Sequence, residues 1–312
     1  MKFCIIDGKY FDVRRILVKK HTLTGNLILL LTAIIWGISF VSQRVGMEYI
    51  KPNTFNGIRS MLGALVLVPV ILVREKTGKS NGAGGKRLLI GGIICGVLLC
   101  LASTLQTWGM VYTTSGKSGF ITAMYMIFVP IIGLFIGKKI RPLTVLGIIS
   151  GVVGMYLLSL GGSDLSLNKG DLLTLICAFV FSFHIMAIDR LSGEVDGVKL
   201  ACLQFFVCGT INIILMLLFD HPDWSVVRSC TVPILYSGIM SCGVAYTLQI
   251  IGQRYTEPTP ASIIMSLESV FAALAGWVLL QEALLPKEIL GCVLMFAAII
   301  VVQLPEKPRV EV

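Results

Sequence analysis

Ten apolar runs, each long enough or nearly long enough to cross the hydrocarbon core of a membrane, dominate this sequence of 312 residues. A helix rises 1.5 Å per residue, so about 20 apolar residues span a core of about 30 Å. The runs are 24–43, 54–73, 88–110, 115–136, 143–160, 171–189, 199–219, 232–251, 261–280 and 289–304. Stretches of alternating polarity, typical of membrane β-barrels, are not found. The pattern predicts an all-α integral membrane protein with ten transmembrane helices.

Composition supports the same class. Charged residues make up 14% of the chain, against about 25% in soluble domains, which is too little polar surface to face water all round. The first 23 residues are too polar to form the apolar centre of a signal peptide, so we expect a retained tail at 1–23. The nine cysteines and three histidines show no metal-ligand spacing, and no nucleophile–base motif occurs. We therefore expect no metal, no cofactor and no enzymatic activity.

Lysine and arginine are distributed unevenly between the predicted loops. Of the 26 basic residues, 19 fall on the side of the membrane that holds the 1–23 tail and six fall on the other side. Basic loops are retained in the cytoplasm, which predicts that both termini are cytoplasmic in a multi-pass protein of a cell membrane. The net charge of +9 follows from this topology, so it gives no support to a nucleic-acid partner.

The two parts of the chain repeat each other. The stretch LQTWGMVYTTSGKSGFI (105–121) recurs as LQIIGQRYTEPTPASII (248–264), an offset of 143 residues, and at an offset of 145 Gly25 matches Gly170. Each repeat contains five runs, an odd number, so the second repeat enters the membrane in the opposite orientation. Many secondary transporters are built from such inverted repeats around a central site. The predicted organisation is a cytoplasmic tail (1–23), a first five-helix repeat (24–160) and a second five-helix repeat (170–304).

Three stretches carry a resemblance to a known family. WGISFVSQRVG (36–46), YTTSGKSGFITAMYMIFVPIIG (112–133) and SLESVFAALAGWVLLQE (266–282) resemble the EamA family of the drug/metabolite transporter superfamily. The resemblance covers both repeats. It implies a ten-helix carrier of small metabolites, commonly in a bacterial inner membrane and often exporting amino acids. It also implies that the first four helices of each repeat line a central cavity and that the fifth packs outside it.

Glu268 is the only charged residue between 261 and 280. An acid near the centre of a membrane helix costs roughly 3 kcal/mol on insertion scales and usually faces the protein interior or a watery cavity. At the 143-residue offset its counterpart is Tyr125, so two polar groups occupy equivalent midmembrane positions. Two interpretations stay open: a site for a substrate cation or a proton, or a structural acid hydrogen-bonded between helices.

Further candidate residues are polar or aromatic side chains within the apolar runs. Arg59 either binds an anion or extends to the membrane boundary, and Lys117, at a helix start, either attracts a substrate carboxylate or is a solvated residue at the mouth. Trp36 and Tyr125 either contact substrate or serve in packing. The full candidate set for substrate binding is Glu268, Tyr125, His184, Gln204, Gln106, Gln249, Trp36, Ser39, Arg59 and Lys117.

The predicted function is a secondary transporter that moves small hydrophilic metabolites by alternating access, most simply an exporter of amino acids or related compounds. We expect Glu268, Tyr125, His184 and Gln204 to form the main site, with Lys117 in an outer vestibule. The expected partners are a small-molecule substrate, a coupling proton and the lipid bilayer. Two alternatives remain, which are efflux of cationic drugs and a membrane scaffold or receptor without transport.

Overall fold

The structure is a computed structural model that describes residues 3–6, 9–80, 84–113, 115–159, 168–281 and 285–304, without side chains at 3–21, 115–117, 158–159 and 280. The first half contains β1 (Phe3–Ile6), β2 (Lys9–Asp12), α1 (Val13–Met47), α2 (Pro52–Lys76), α3 (Lys86–Tyr112), α4 (Ser115–Thr122), α5 (Tyr125–Phe135) and α6 (Pro142–Ser159). The second half contains α7 (Lys169–Ser192), α8 (Gly197–Leu215), α9 (Trp224–Ser229), α10 (Thr231–Leu235), α11 (Tyr246–Gln253), α12 (Pro258–Met265), α13 (Glu268–Leu280) and α14 (Pro286–Gln303). Two π-helices lie in this half, π1 (Met216–Asp220) after α8 and π2 (Tyr236–Ala245) between α10 and α11.

From Val13 onward the described chain is helical, which confirms the prediction of an all-α bundle; the antiparallel pair β1–β2 precedes it. Within the described residues, nine helical stretches are long and apolar enough to span a membrane, and Pro142–Leu157 in α6 is a shorter apolar stretch. A ten-helix count therefore stays a prediction. Two runs expected as continuous helices are each divided in two, 115–136 into α4 and α5 and 261–280 into α12 and α13.

Helix starts follow from local sequence. Asn168 and Asp171 form a capping box at the start of α7, in which each side chain accepts a hydrogen bond from the other residue's backbone N–H. Pro52, Pro258 and Pro286 open α2, α12 and α14. Proline suits the first turn because its fixed φ is helical and its missing N–H would have no partner there.

The bundle begins and ends at the same face. Thr22 near the start of the first span and Val302 near the end of α14 line one cavity of about 540 Å³, together with Lys138, Lys139 and Arg141. We call this side the terminal face. The opposite side, where α1 ends and α2 begins, is the far face.

Contacts between the halves recur when the halves are exchanged. A methyl group on Gly25 of α1 would lie 3.0 Å from the carbonyl oxygen of Gly252 in α11, and one on Gly109 of α3 would lie 3.0 Å from the carbonyl oxygen of Gly170 in α7. The sequence repeat equates the glycines of α1 and α7 with each other, and those of α3 and α11. One close contact is thus made twice, once between α1 and α11 and once between α7 and α3.

The last helix of each half lies outside this arrangement, because α6 and α14 pack against each other. A methyl group on Gly147 would lie 3.0 Å from the carbonyl oxygen of Ala298, and one on Gly154 would lie 2.7 Å from that of Gly291. Such small residues let helix backbones approach closely in a membrane. The remaining helices of the two halves are left to surround the centre.

Candidate functional site

The centre of the bundle is marked by two breaks at equivalent positions. At the end of α4 the N–H of Met124 donates to the carbonyl of Ile121 at 3.1 Å, and at the end of α12 the N–H of Leu267 donates to the carbonyl of Ile264 at 3.2 Å. These are bonds to the third residue back, tighter than the α-helical pattern. The breaks are 143 residues apart, so α5 and α13 both start in the middle of the bundle and run toward opposite faces.

Local sequence lets each break be tolerated without a free backbone group. In α5, Pro130 has no N–H to offer the preceding turn. In the second half, the hydroxyl of Ser266 donates to the carbonyl of Ile263 and that of Ser269 donates to the carbonyl of Ser266, each at 2.7 Å. Such hydroxyls satisfy carbonyls that a broken membrane helix exposes.

The first residues of the two half-helices touch. The hydroxyl of Tyr125, at the start of α5, donates to Oε1 of Glu268, at the start of α13, at 3.0 Å. Both side chains are buried, with exposures of 3% and 5%. Equivalent residues can meet in this way only where the two halves adjoin their common centre. Among the ion pairs of the described residues none involves Glu268, so this carboxylate is held by hydrogen bonding alone.

A narrow cavity adjoins this pair and extends toward the far face. It offers about 40 Å³ of space for water-sized molecules, which is room for a few waters. Toward the terminal face, buried Leu29, Met126, Val129 and Ile264 fill the space, and the Gln253 side chain donates to the carbonyl of Ile185 at 3.0 Å. The cavity is lined by Trp36, Ser39, Phe40, Gln43, Arg59, Gln106, Thr122, Tyr125, Phe181, His184, Ile185, Ser241, Tyr246, Gln249 and Glu268.

Five side chains of the cavity wall carry buried polar atoms that have no hydrogen-bond partner in the described part of the chain. They are Nε1 of Trp36, Oε1 of Gln43, Nε of Arg59, Nδ1 of His184 and Oε1 of Gln249. Buried polar atoms are nearly always paired, so such a concentration calls for water, an ion or a ligand. The set includes donors and acceptors and comes from both halves. The wall can therefore hydrogen-bond a molecule that itself carries donors and acceptors.

Arg59 supplies the positive charge of the cavity. The side chain is 6% exposed and its guanidinium lies 5.3 Å from the ring centre of Phe55. No carboxylate pairs with it among the described residues. A buried guanidinium without a carboxylate is a group to which an anionic ligand can bind in a fork of two hydrogen bonds.

The structure brings most of the sequence-predicted residues together. His184 bonds Gln204 at 3.1 Å between Nε2 and Oε1, so Gln204 stands behind the wall. The structure does not describe the side chain of Lys117, and its role stays a prediction. The other candidates line the cavity: Trp36, Ser39, Arg59, Gln106, Tyr125, His184, Gln249 and Glu268.

Aromatic residues of the wall were not predicted. Tyr246 lies 4.6 Å from Trp36, 5.0 Å from Phe205 and 6.1 Å from His184, measured between ring centres. The repeat pairs Tyr246 with Ser103, which was the one signal that could have found it. Apolar wall residues such as Phe40 and Phe181 carry no such signal, because a lining phenylalanine reads like a core phenylalanine. The lining residues that sequence reasoning missed are Phe40, Gln43, Thr122, Phe181, Ile185, Ser241 and Tyr246.

A multi-span helical protein with broken helices around a closed polar cavity has the build of a membrane transporter. The chain belongs to the EamA-like transporter family, which matches residues 23–160 and again residues 168–304. This confirms the resemblance found in the sequence. Among the described residues no group of three His, Cys, Asp or Glu side chains could hold a metal ion.

Similar proteins carry the same class name. An uncharacterized transporter of Archaeoglobus fulgidus is 31% identical over 90% of this chain and 86% of its own length. The uncharacterized transporter YoaV of Bacillus subtilis is 22% identical over 85% of this chain and 92% of its own. The uncharacterized inner membrane transporter YedA of Escherichia coli strain K12 is 25% identical over 89% and 91%. A crystal structure, 18% identical, shares the fold with a TM-score of 0.73 over 90% of this chain and 96% of that one.

Proposed function

We propose that this protein is a secondary transporter that exports amino acids or closely related amphoteric metabolites by alternating access at the central cavity. The observation that carries the proposal is the cavity itself. A buried acid without a basic partner and a buried guanidinium without an acidic partner face the same space, beside polar atoms that lack partners in the described part of the chain.

An inverted arrangement of the two halves supports alternating access. The equivalent breaks, the exchanged glycine contacts and the meeting of Tyr125 with Glu268 are what two related halves facing opposite ways would produce. In such a carrier, rocking one half against the other opens the site to each face in turn. The present cavity is closed at the terminal face and too small for a metabolite, since ligand sites usually measure about 300–1,000 Å³. Transport therefore requires the cavity to widen.

The chemistry of the wall favours an amphoteric cargo. An ammonium group would lie against Glu268 and a carboxylate against Arg59. Counted along their helices, these residues differ in depth by roughly 9 Å, which exceeds the separation of the charges in an α-amino acid, so side-chain reach or water must bridge the gap. A coupling proton would occupy Glu268 when the ammonium group has left.

Efflux of cationic drugs is the second candidate, and the aromatic cluster around Tyr246 is the observation that favours it. Aromatic faces attract cations, by up to about 2 kcal/mol in a desolvated site. The unpaired Arg59 opposes this alternative, because a buried positive charge repels a cationic drug. The orientation that we propose, with both termini in the cytoplasm of a bacterial cell, would make either transport direction an export.

A panel of the 20 amino acids tests the proposed function. A host whose growth is inhibited by excess amino acids should be rescued by this protein for a subset of the panel, and the same subset should raise the thermal stability of the purified protein, since ligand binding stabilises the folded state. Export of a cationic dye without any amino-acid effect would favour the second candidate. No response in either assay would leave a scaffold or receptor.

A further inference from the structure

The segment formed by α10, π2 and α11 differs from its repeat counterpart α3 in one respect. α3 is α-helical throughout, from Lys86 to Tyr112, whereas π2 occupies the ten residues Tyr236–Ala245. At the end of π2 the N–H of Tyr246 donates to the carbonyl of Ser241, five residues back. π-Helical turns are rare and occur mostly within α-helices, frequently at functional sites.

On the α11 side of π2, equivalent contacts follow the 143-residue offset. Gly252 approaches Gly25 as Gly109 approaches Gly170. On the α10 side the offset is 142. A methyl group on Gly238 would lie 3.0 Å from Cβ of Leu62.

The counterpart of that contact lies in α3. A methyl group on Gly96 would lie 2.6 Å from Cβ of Val207. Leu62 and Val207 are 145 residues apart, the offset that relates α2 to α8, whereas Gly96 and Gly238 are only 142 apart.

A second pair of contacts gives the same offset. Cys242 packs against Gly63 of α2, where a methyl group would lie 2.5 Å from its Cβ. Its counterpart at 142 residues is Cys100, which shares a core cluster with Cys208 of α8. Both of these sulfurs lie near Nδ2 of Asn212, at 3.1 and 3.7 Å.

The offset therefore changes between Cys242 and Tyr246. α3 spans the two contacts with 13 steps, from Gly96 to Gly109, and the second half uses 14, from Gly238 to Gly252. One residue among 243–245 is extra. An α-helix turns about 100° per residue, so an extra residue without compensation would turn every later side chain by that angle. The wider π turn absorbs it and keeps both sets of contacts.

We propose that π2 houses this inserted residue and that movement of the π turn along the segment changes the orientation of α11 during the transport cycle. Tyr246 and Gln249 line the cavity with the turn before them. If the turn moves past them, both side chains rotate by about 100° and shift by about 1.5 Å, out of the cavity. The same step carries Gln253 away from the carbonyl of Ile185, a contact that closes the terminal face. The inference rests on the proposed function, because only a carrier needs the second state.

Deletion of Val244 tests whether the residue is an insertion, with deletion of Leu101 as the matched control. The two residues are 143 apart, and both are exposed on the bundle surface, at 36% and 49%. The Val244 deletion should fold, because α3 makes equivalent contacts with one residue fewer. The Leu101 deletion should be lost from the folded, monodisperse fraction, because α3 has no residue to spare. Loss of the Val244 variant, or equal tolerance of both deletions, would overturn the proposal.

The functional part is tested without a known substrate. In protein whose nine cysteines are replaced by alanine, Ser39→Cys reports on the cavity, and a small membrane-impermeant thiol reagent is applied to right-side-out and inside-out vesicles. The parent should be labelled from both faces, and the Val244 deletion from the far face only. Equal labelling of parent and deletion would refute the moving turn and leave the carrier intact. A parent labelled from one face only would instead refute alternating access, and the moving turn with it.

Discussion

At the scale of single residues, Glu268 decides between the two interpretations that its sequence position left open. Its one observed partner is a hydroxyl, since Tyr125 donates to one carboxylate oxygen. A purely structural acid in this setting is a hydrogen-bond acceptor, and an amide can fill that role. A binding group for an ammonium ion or a proton must instead carry or lose charge. The two roles therefore respond differently to a neutral isostere.

Glu268→Gln should abolish transport while leaving the protein folded. Glutamine keeps the shape and accepts a hydrogen bond, so the loss of stability should stay within about 1–2 kcal/mol, but it cannot exchange a proton or pair with an ammonium group. Transport assays on detergent-stable protein check this, with the exposed Glu48→Gln as control. Wild-type transport by a folded Glu268→Gln protein would remove the carboxylate from the mechanism.

Arg59→Gln should weaken recognition of the cargo's carboxylate. Hydrogen bonds to charged groups contribute about 1.5–3 kcal/mol, or about 10- to 150-fold in affinity. Wild-type protein should therefore prefer a transported amino acid to its uncharged amide, and Arg59→Gln should treat the two alike. Competition assays measure the ratio, with the exposed Arg228→Gln as control. An unchanged ratio would show that Arg59 serves packing against Phe55.

Lys117→Ala should change the rate of release or the apparent affinity, and leave substrate preference as it is. This follows from its predicted place at the outer mouth, where a charge acts mainly by steering. Preference among amino acids should follow changes at Tyr125 and Gln204 instead. Uptake and release kinetics for several substrates separate the two effects. A cargo held against Lys117 in a substrate-bound structure would contradict the assignment.

At the scale of helices, close glycine contacts tie each half to the other. Gly252 has no room for a side chain, since a methyl group there would lie 2.7 Å from Cγ of Leu29. Overpacking of this kind typically costs about 1–3 kcal/mol. Gly252→Ala should accordingly lower the thermal stability of the purified protein, as should Gly109→Ala at the equivalent position. Gly193→Ala, where nothing lies within 4 Å, should not. Equal melting of all three variants would contradict the packing.

At the scale of the whole molecule, the sequence predicted the bundle and much of the cavity wall, because both follow from regular patterns. Apolar runs identify helices, and the 143-residue repeat pairs Tyr125 with Glu268, two residues that are hydrogen-bonded to each other in the fold. The breaks at 123–124 and 266–267 were not predicted, since an apolar run reads alike whether its backbone is continuous or broken. The insertion in π2 was also hidden, because it changes the offset by one residue only.

The orientation of the whole bundle gives the last prediction. Arg74 pairs with Asp196 at 3.5 Å, and Arg87 with Glu194 at 2.5 Å, so the ends of α2 and α3 lie at the same face as the α7–α8 loop. Single cysteines in 78–87 and 190–199 should therefore label from the same side. The excess of basic residues makes that side the cytoplasm, and cysteines in 161–170 should label from outside. Labelling of the first two loops from opposite sides would refute the helical arrangement, whereas labelling of both from outside would refute only its orientation.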